Sequence, residues 1–255
     1  MTGQVASLWR HPVKGFTPER LPAASLTAGG FFPCDRIYAV EDGPSGFDPA
    51  APAWISKQKF TVLAKIARVA QVRTAYDEAT GRLTAQAEGA PDFAGALTEP
   101  AGREAFADWL AGWLADDARG PLKVVQAPGH RFSDHPRGYV SIVNLASVRD
   151  FEARIGRPVD PLRFRANIYV EGWPAWAENT LPADTPIALG PVAARVLSQI
   201  VRCAATHVDP ATGVRDIDLV PALFGAYGHP HCGIYVSVTG GGVIAEGDAA
   251  EIGAP

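Results

Sequence analysis

The chain has 255 residues, with 23 Lys and Arg against 27 Asp and Glu and a formal charge of −4. That balance argues against a general nucleic-acid-binding surface, which needs many Lys and Arg displacing counterions together, but leaves room for a local basic pocket. Three cysteines, Cys34, Cys203 and Cys232, form no CxxC pair. No disulfide framework, iron–sulfur cluster or zinc knuckle is therefore spelled out, and a reducing, cytoplasmic setting is expected. Leu219 to Ala245 carries no Asp, Glu, Lys or Arg, yet Pro221, Pro230 and Gly240 to Gly242 break it as a membrane helix. Met1 to Gly15 lacks an apolar signal core and holds Arg10, His11 and Lys14, so no targeting segment is expected.

The first hundred residues read as short strands between turns. Gln4–Trp9, Arg36–Glu41, Arg68–Tyr76 and Arg82–Gln86 are rich in Val, Ile, Leu and aromatics, with turn residues at Asp42–Gly46 and Asp77–Gly81. This is the pattern of a small β-barrel or sandwich. A helix follows, its Phe106, Trp109, Leu110, Trp113 and Leu114 on one face. Asp116 to Gly120 ends that helix, which sets a domain boundary near residue 120 and gives units 1–120 and 121–255. Asp134 to Gly138 is a second polar turn.

The second half opens with a strand at Tyr139–Val143 and a helix at Ser147–Ile155 closed by Gly156. Strand-like runs recur at Phe164–Glu171, Val192–Cys203, Ile234–Thr239 and Val243–Ala245, the last two joined by Gly240 to Gly242 in what reads as a hairpin. Strands outnumber helices and no regular βαβ alternation appears, which excludes a doubly wound nucleotide fold or a TIM barrel. The expected class is mainly β with some α, as barrels with a few helices.

The strongest chemical signal is the run Val201-Arg202-Cys203-Ala204-Ala205-Thr206-His207-Val208-Asp209-Pro210 to Gly213, at the end of a long apolar stretch. Three readings stand at Cys203. It is an inert buried thiol beside an Asp-Pro turn. It is the nucleophile of a hydrolase with His207 as base and Asp209 as orienter, a reading that suffers because an extended chain would separate residues 203 and 207 by about 13 Å at ~3.3 Å per residue. Or its thiolate is the single protein ligand of a transition metal otherwise held by a cofactor. His229-Pro230-His231-Cys232 packs metal-ligating types together, but without a fourth partner it reads as a loop at a pocket mouth rather than a zinc site.

At Arg202-Cys203, Thr206 and Val208 to Gly213 the sequence resembles the MOSC family, named for the C-terminal domain of molybdenum cofactor sulfurases, and within it the two-domain branch of the amidoxime-reducing components. Arg163-Phe164-Arg165-Ala166-Asn167-Ile168 is similar to that family's Arg-Phe-Arg-Pro-Asn-Ile strand, with Ala166 in place of Pro. Gly233-Ile234-Tyr235 and Gly241 to Asp248 resemble its closing segments. His11 to Gly15 resembles a Tyr-Pro-Val-Lys-Ser turn, with Gly15 in place of Ser, and Cys34-Asp35-Arg36 resembles an Asp-Arg that opens a central strand.

The resemblance implies a MOSC-like β-barrel preceded by an accessory N-terminal β-barrel domain. It implies a molybdenum cofactor, a molybdopterin whose metal is held by Cys203, with Asp209 either hydrogen-bonding near the metal or fixing its own turn. Lys14, Gly15, Arg36, Arg165, Asn167, Arg202, Thr206 and Tyr235 are the implied cofactor-binding residues. Cations suit the cofactor phosphate, Asn suits the pterin edge, and backbone amides at Gly15 take the place of the missing hydroxyl. Arg163, by contrast, reads as a surface salt-bridging residue. The implied activity is reduction of N-hydroxylated or other N-oxygenated small molecules, with electrons from a separate electron-transfer protein and no membrane or nucleic-acid partner. The alternative is a cofactor-binding or sulfur-carrier module in which Cys203 bears a persulfide.

Overall fold

The computed structural model describes residues 1–135 and 139–253, so Pro136 to Gly138 of the expected polar turn lie outside the described residues. Strand β1 (Thr2–Arg10) buries Val5 and Leu8, and β2 (Glu19–Leu21) folds back on it. After β3 (Ala23–Leu26) and β4 (Ala39–Asp42) the chain runs without long elements to residue 66, with one short 3-10 turn at Lys57–Lys59. A strand was expected from Arg68, but Ala67–Gln71 is a second 3-10 turn, because Val69, Ala70 and Val72 are all buried and fit no two-residue alternation. The meander β5 (Arg73–Asp77), β6 (Arg82–Gln86) and β7 (Phe93–Ala96) follows.

Helix α1 (Pro100–Leu114) starts with Pro in its first turn, where the missing N–H costs nothing. It buries Phe106, Leu110 and Leu114 in the N-terminal core, while Trp109 and Trp113 lie half-buried and donate to Pro91 O and Glu88 O. Strand β8 (Leu122–Val125) then pairs with β4.

Strand β9 (Val140–Asn144) leads into α2 (Leu145–Ile155), capped by the Asn144 side chain on Ala146 N and ended by Gly156 in the left-handed region. Strand β10 (Ile168–Glu171) begins later than the apolar run from Phe164 implies, because Pro161–Phe164 is a 3-10 turn and Arg165 has φ +51°. Strands β11 (Pro186–Leu189) and β12 (Val192–Val201) precede α3 (Leu219–Tyr227), a helix that lies in the charge-free stretch and has no counterpart in the sequence expectations. Among the described residues no helix is long and apolar enough to cross a membrane. The last strands are β13 (His231–Gly240), β14 (Gly242–Ala245) and β15 (Ala249–Ile252).

Seven strands close a barrel in the order β1-β10-β9-β13-β12-β11-β15 and back to β1, with β9 and β10 parallel and the other pairs antiparallel. Closure leaves no free edge in the ring, and Ile142, Val196, Ile234 and Val236 fill its interior. The expected Gly240–Gly242 hairpin does not form. Strand β13 pairs with β12 and β9, and β14 crosses to β3, where a side chain at Gly241 would lie 2.8 Å from Leu26 O. The first strand of the N-terminal segment is thus a stave of the C-terminal barrel, and Val208 of the second half is buried in the N-terminal core.

Candidate functional site

A cavity of about 460 Å³ lies where the two halves meet. One wall comes from the turn after β1 (Lys14, Gly15) and from Arg36. The opposite wall comes from Arg165 before β10, from the end of β12 with Cys203, and from Tyr235 on β13. Arg36 and Arg165 both sit at φ +51°, a backbone region costly for residues with a Cβ and maintained only where the surroundings impose it. Gly15 has φ +92°, and a Cβ there would stand 2.5 Å from Thr61 O, so the position that departs from Ser is one this backbone reserves for glycine. At the other departure, Ala166 N donates to Tyr169 Oη at 3.2 Å, a bond proline cannot make.

Cys203 is half-buried at the end of β12, and Lys57 Nζ donates to its Sγ at 3.1 Å. The same ammonium lies 3.7 Å from Asp134, which accepts from Lys14 Nζ at 2.6 Å. Burial lowers the Lys14 pKa, with Asp134 opposing it. For Asp134 burial works upward, but Lys14 and Lys57 outweigh it and hold the carboxyl below the usual range. Arg36 pairs with Asp35 and donates to Arg165 O at 3.1 Å. Arg165 donates from Nη1 to Phe16 O at 2.8 Å, while its Nη2 is buried with no protein partner. Burial, with Arg36 beside it, draws the Arg165 pKa down to about 10. Behind this layer His11 is sealed from solvent, and burial together with Arg165 pushes its pKa down to about 3, so the ring is neutral and lies 3.3 Å from Asp35 through Nδ1.

Of the residues singled out from sequence, Lys14, Gly15, Arg36 and Arg165 meet Arg202, Cys203, Thr206 and Tyr235 around this one cavity. Arg202 is committed to backbone, donating to Cys232 O and Phe164 O. Thr206 Oγ1 donates to Cys203 O at 2.9 Å and so braces the loop that carries the thiol. Asn167 and Asp209 lie off the cavity lining. The Asn167 side chain accepts from Ser141 N and Oγ inside the barrel wall, and Asp209 accepts from Ala211 N and Thr212 N to fix its own turn. Arg163 is not a surface residue. It is buried, lines the cavity and bridges Asp209 and Asp216.

Residues 204–207 form a 3-10 turn rather than extended chain, and His207 faces α3, with its Nε2 accepting from Val220 N and its Nδ1 3.5 Å from Asp218. A Cys203–His207 pair is therefore not assembled. Neither His229 nor His231 lines the cavity: their rings stack on each other at 5.2 Å, and Cys232 is buried. Among the described residues no group of three or more His, Cys, Asp or Glu has the arrangement of a metal site. Sequence reasoning missed Lys57 and Asp134. Lys57 sits in a polar loop with nothing around it to mark it, whereas Asp134 was visible only as a turn residue.

The MOSC domain family model matches residues 129–251, and the model of the MOSC N-terminal beta barrel domain matches residues 2–117. The chain belongs to the MOSC family. This MOSC protein is 32% identical over 75 residues to mitochondrial amidoxime-reducing component 1 of Mus musculus, a match covering 29% of this chain and 21% of that relative. The aligned part thus spans about a fifth of the curated relative's length. Among solved structures, the YuaD protein of Bacillus subtilis aligns over 99% of this chain and 96% of its own, at 15% identity and a TM-score of 0.44. YiiM of Geobacillus stearothermophilus aligns over 44% of this chain and 53% of its own, at 19% identity and a TM-score of 0.35.

Proposed function

We propose that this MOSC protein is a molybdenum-cofactor-dependent oxidoreductase that reduces N-hydroxylated or other N-oxygenated small molecules. The observation that carries the reading is that a half-buried thiol and a buried guanidinium with an uncommitted N–H belong to the same cavity. The residues fit the cofactor. The volume is that of a small-ligand site, and Lys14, Lys57, Arg36 and Arg165 outnumber the two carboxylates Asp35 and Asp134, as a phosphate-bearing ligand requires. Cys203 is the soft ligand suited to the metal, and Arg165, Arg36 and Lys14 are the cations suited to the phosphate. When bound, the cofactor supplies a metal that exchanges electron pairs and accepts an oxygen atom from substrate.

The chain's own part is binding and orientation. Lys57 holds a positive charge against the sulfur, Thr206 braces the loop behind it, and Tyr235 with Tyr139, ring centroids 5.7 Å apart, forms an aromatic wall for a planar ring system. Reducing an N–OH group to N–H with release of water consumes two electrons and two protons. A separate electron-transfer protein is the proposed source of the electrons. The mouse relative's name gives amidoxime reduction as its activity, which is the support for that substrate class.

The test is molybdenum and pterin content of protein purified from a cofactor-competent host, followed by turnover of an aromatic amidoxime with a reduced viologen dye. Near-stoichiometric metal and turnover are expected. Arg165→Ala is expected to lose at least fivefold more molybdenum than wild type on extended washing. Folded protein that carries no molybdenum would overturn the reading, and metal-loaded protein that transfers cofactor or sulfur without turnover would replace it by the carrier function.

A further inference from the structure

Cys203 lies on a short loop whose two ends are anchored by two arginines, each reaching into the other's segment. Arg202, the residue before Cys203, donates from Nη1 to Phe164 O at 2.7 Å and from Nε and Nη2 to Cys232 O at 2.8 and 2.5 Å. Arg163, the residue before Phe164, donates from Nη1 to His207 O at 3.0 Å, where the 3-10 turn after Cys203 ends. The segment carrying the thiol is pinned by a side chain at 202 and by a carbonyl at 207. Between those two points Arg215 Nη1 donates to Ala204 O at 3.1 Å and Lys57 Nζ to Cys203 Sγ at 3.1 Å, and the other bonds are local, such as Thr206 N to Cys203 O at 3.0 Å.

The Arg163 side chain is 2% exposed, and its charge is balanced by Asp209 at 3.0 Å and Asp216 at 2.7 Å. A guanidinium meets one carbonyl and two carboxylates at once because its donors are fixed in a planar fork, which a lysine ammonium on a flexible stem does not reproduce. A core residue needed only for bulk would not require this combination.

We propose that Arg163 is a positioning residue for Cys203, forming with Arg202 a reciprocal clasp that fixes where the sulfur sits in the cavity. The proposal rests on the reading of Cys203 as metal ligand for its purpose, though the clasp itself is a property of the cofactor-free chain. Arg163→Met removes every bond of the clasp on one side. Arg163→Lys keeps a cation between Asp209 and Asp216 and so remains informative where the Met variant fails to fold. Arg157→Ala, which removes an exposed partner of Asp216 at 3.0 Å, serves as control.

The first readout is hydrogen exchange of the full-length, cofactor-free protein. Exchange in 203–209 is expected to rise at least tenfold in Arg163→Lys, with β9 and β13 unchanged and the Arg157→Ala control like wild type. A general loss of protection in β9 and β13 would mark Arg163 as a structural residue and overturn the positioning role, as would unchanged exchange in 203–209. The second readout uses loaded protein: the paramagnetic resonance of the half-reduced metal is expected to broaden or shift in Arg163→Lys, and an unaltered spectrum would also overturn the role. If the wild type takes up no molybdenum, the proposed function fails while the exchange experiment still decides the clasp.

Discussion

Inside the barrel, Leu8, Ile142, Val196 and Val236 are fully closed from solvent on strands whose ladders satisfy the backbone. A short distance away, the cavity gathers Lys14, Arg36, Lys57 and Arg165 with two carboxylates and leaves an Arg165 N–H without a partner. The first region is built for burial and the second against it, since each buried charge carries a desolvation cost that only pairing or a ligand offsets. The contrast teaches where stability and chemistry reside. The closed ring supplies the rigidity that lets the seam hold residues in φ +51° conformations and an uncommitted donor.

The largest separation between the two regions is expected from Cys203→Ser, which keeps the volume but replaces a soft ligand by a hard one. Metal retention and turnover should fall to background while the unfolding midpoint stays that of wild type, read by metal analysis and urea titration on the same preparation. Trp173→Ala attacks the other region. That side chain is 1% exposed and donates from Nε1 to Ala250 O at 2.9 Å, so its loss should cost about 3–5 kcal/mol in denaturant unfolding. The fraction that remains folded should still bind cofactor.

Gly15→Ser sharpens the comparison at the seam. Although it restores the hydroxyl of the resembling turn, it places a Cβ at φ +92° against Thr61 O and should destabilise by about 1–3 kcal/mol with no gain in cofactor retention. A stability equal to wild type would show that the turn relaxes freely. The gentlest probe, taken one pH unit at a time, is the titration of His11. Its folded pKa of about 3 lies below the ordinary 6.5, so the unfolded chain takes up a proton that the folded chain refuses. Stability is then full above pH 6.5 and declines as pH falls toward 3, with a slope of up to about 1.4 kcal/mol per pH unit. Urea titrations between pH 7 and 4 should show this slope, and His11→Gln should flatten it.

Much of the fold was legible because it depends on local periodicity. The β6 limits, the α1 face and the Gly156 stop follow from alternation, helical spacing and a left-handed cap. What escaped depends on contacts far apart in sequence. Alternation does not reveal that β14 pairs with β3 rather than with its neighbour β13, because a glycine run permits either path until Leu26 and Thr27 are in place. The apolar stretch that became α3 has no charged face to mark it. In the site, the residues tied to motif positions came together, except that Asn167 and Asp209 are turned to the barrel wall and to their own turn. Lys57 was invisible because its role exists only through Cys203, 146 positions later.

The place of β1 in the barrel has a consequence for the order of folding. Within the ring its partners are β10 and β15, and Thr2 pairs with Glu251, so the ring joins segments about 250 residues apart in sequence. During synthesis the first strand leaves the ribosome long before either ring neighbour exists, with only β2 at hand to pair with it. Loop closure over such a span is slow. The cavity, whose lining runs from Lys14 to Tyr235, is complete only once the two halves have met, so a ligand taken up there arrives after their docking rather than before it.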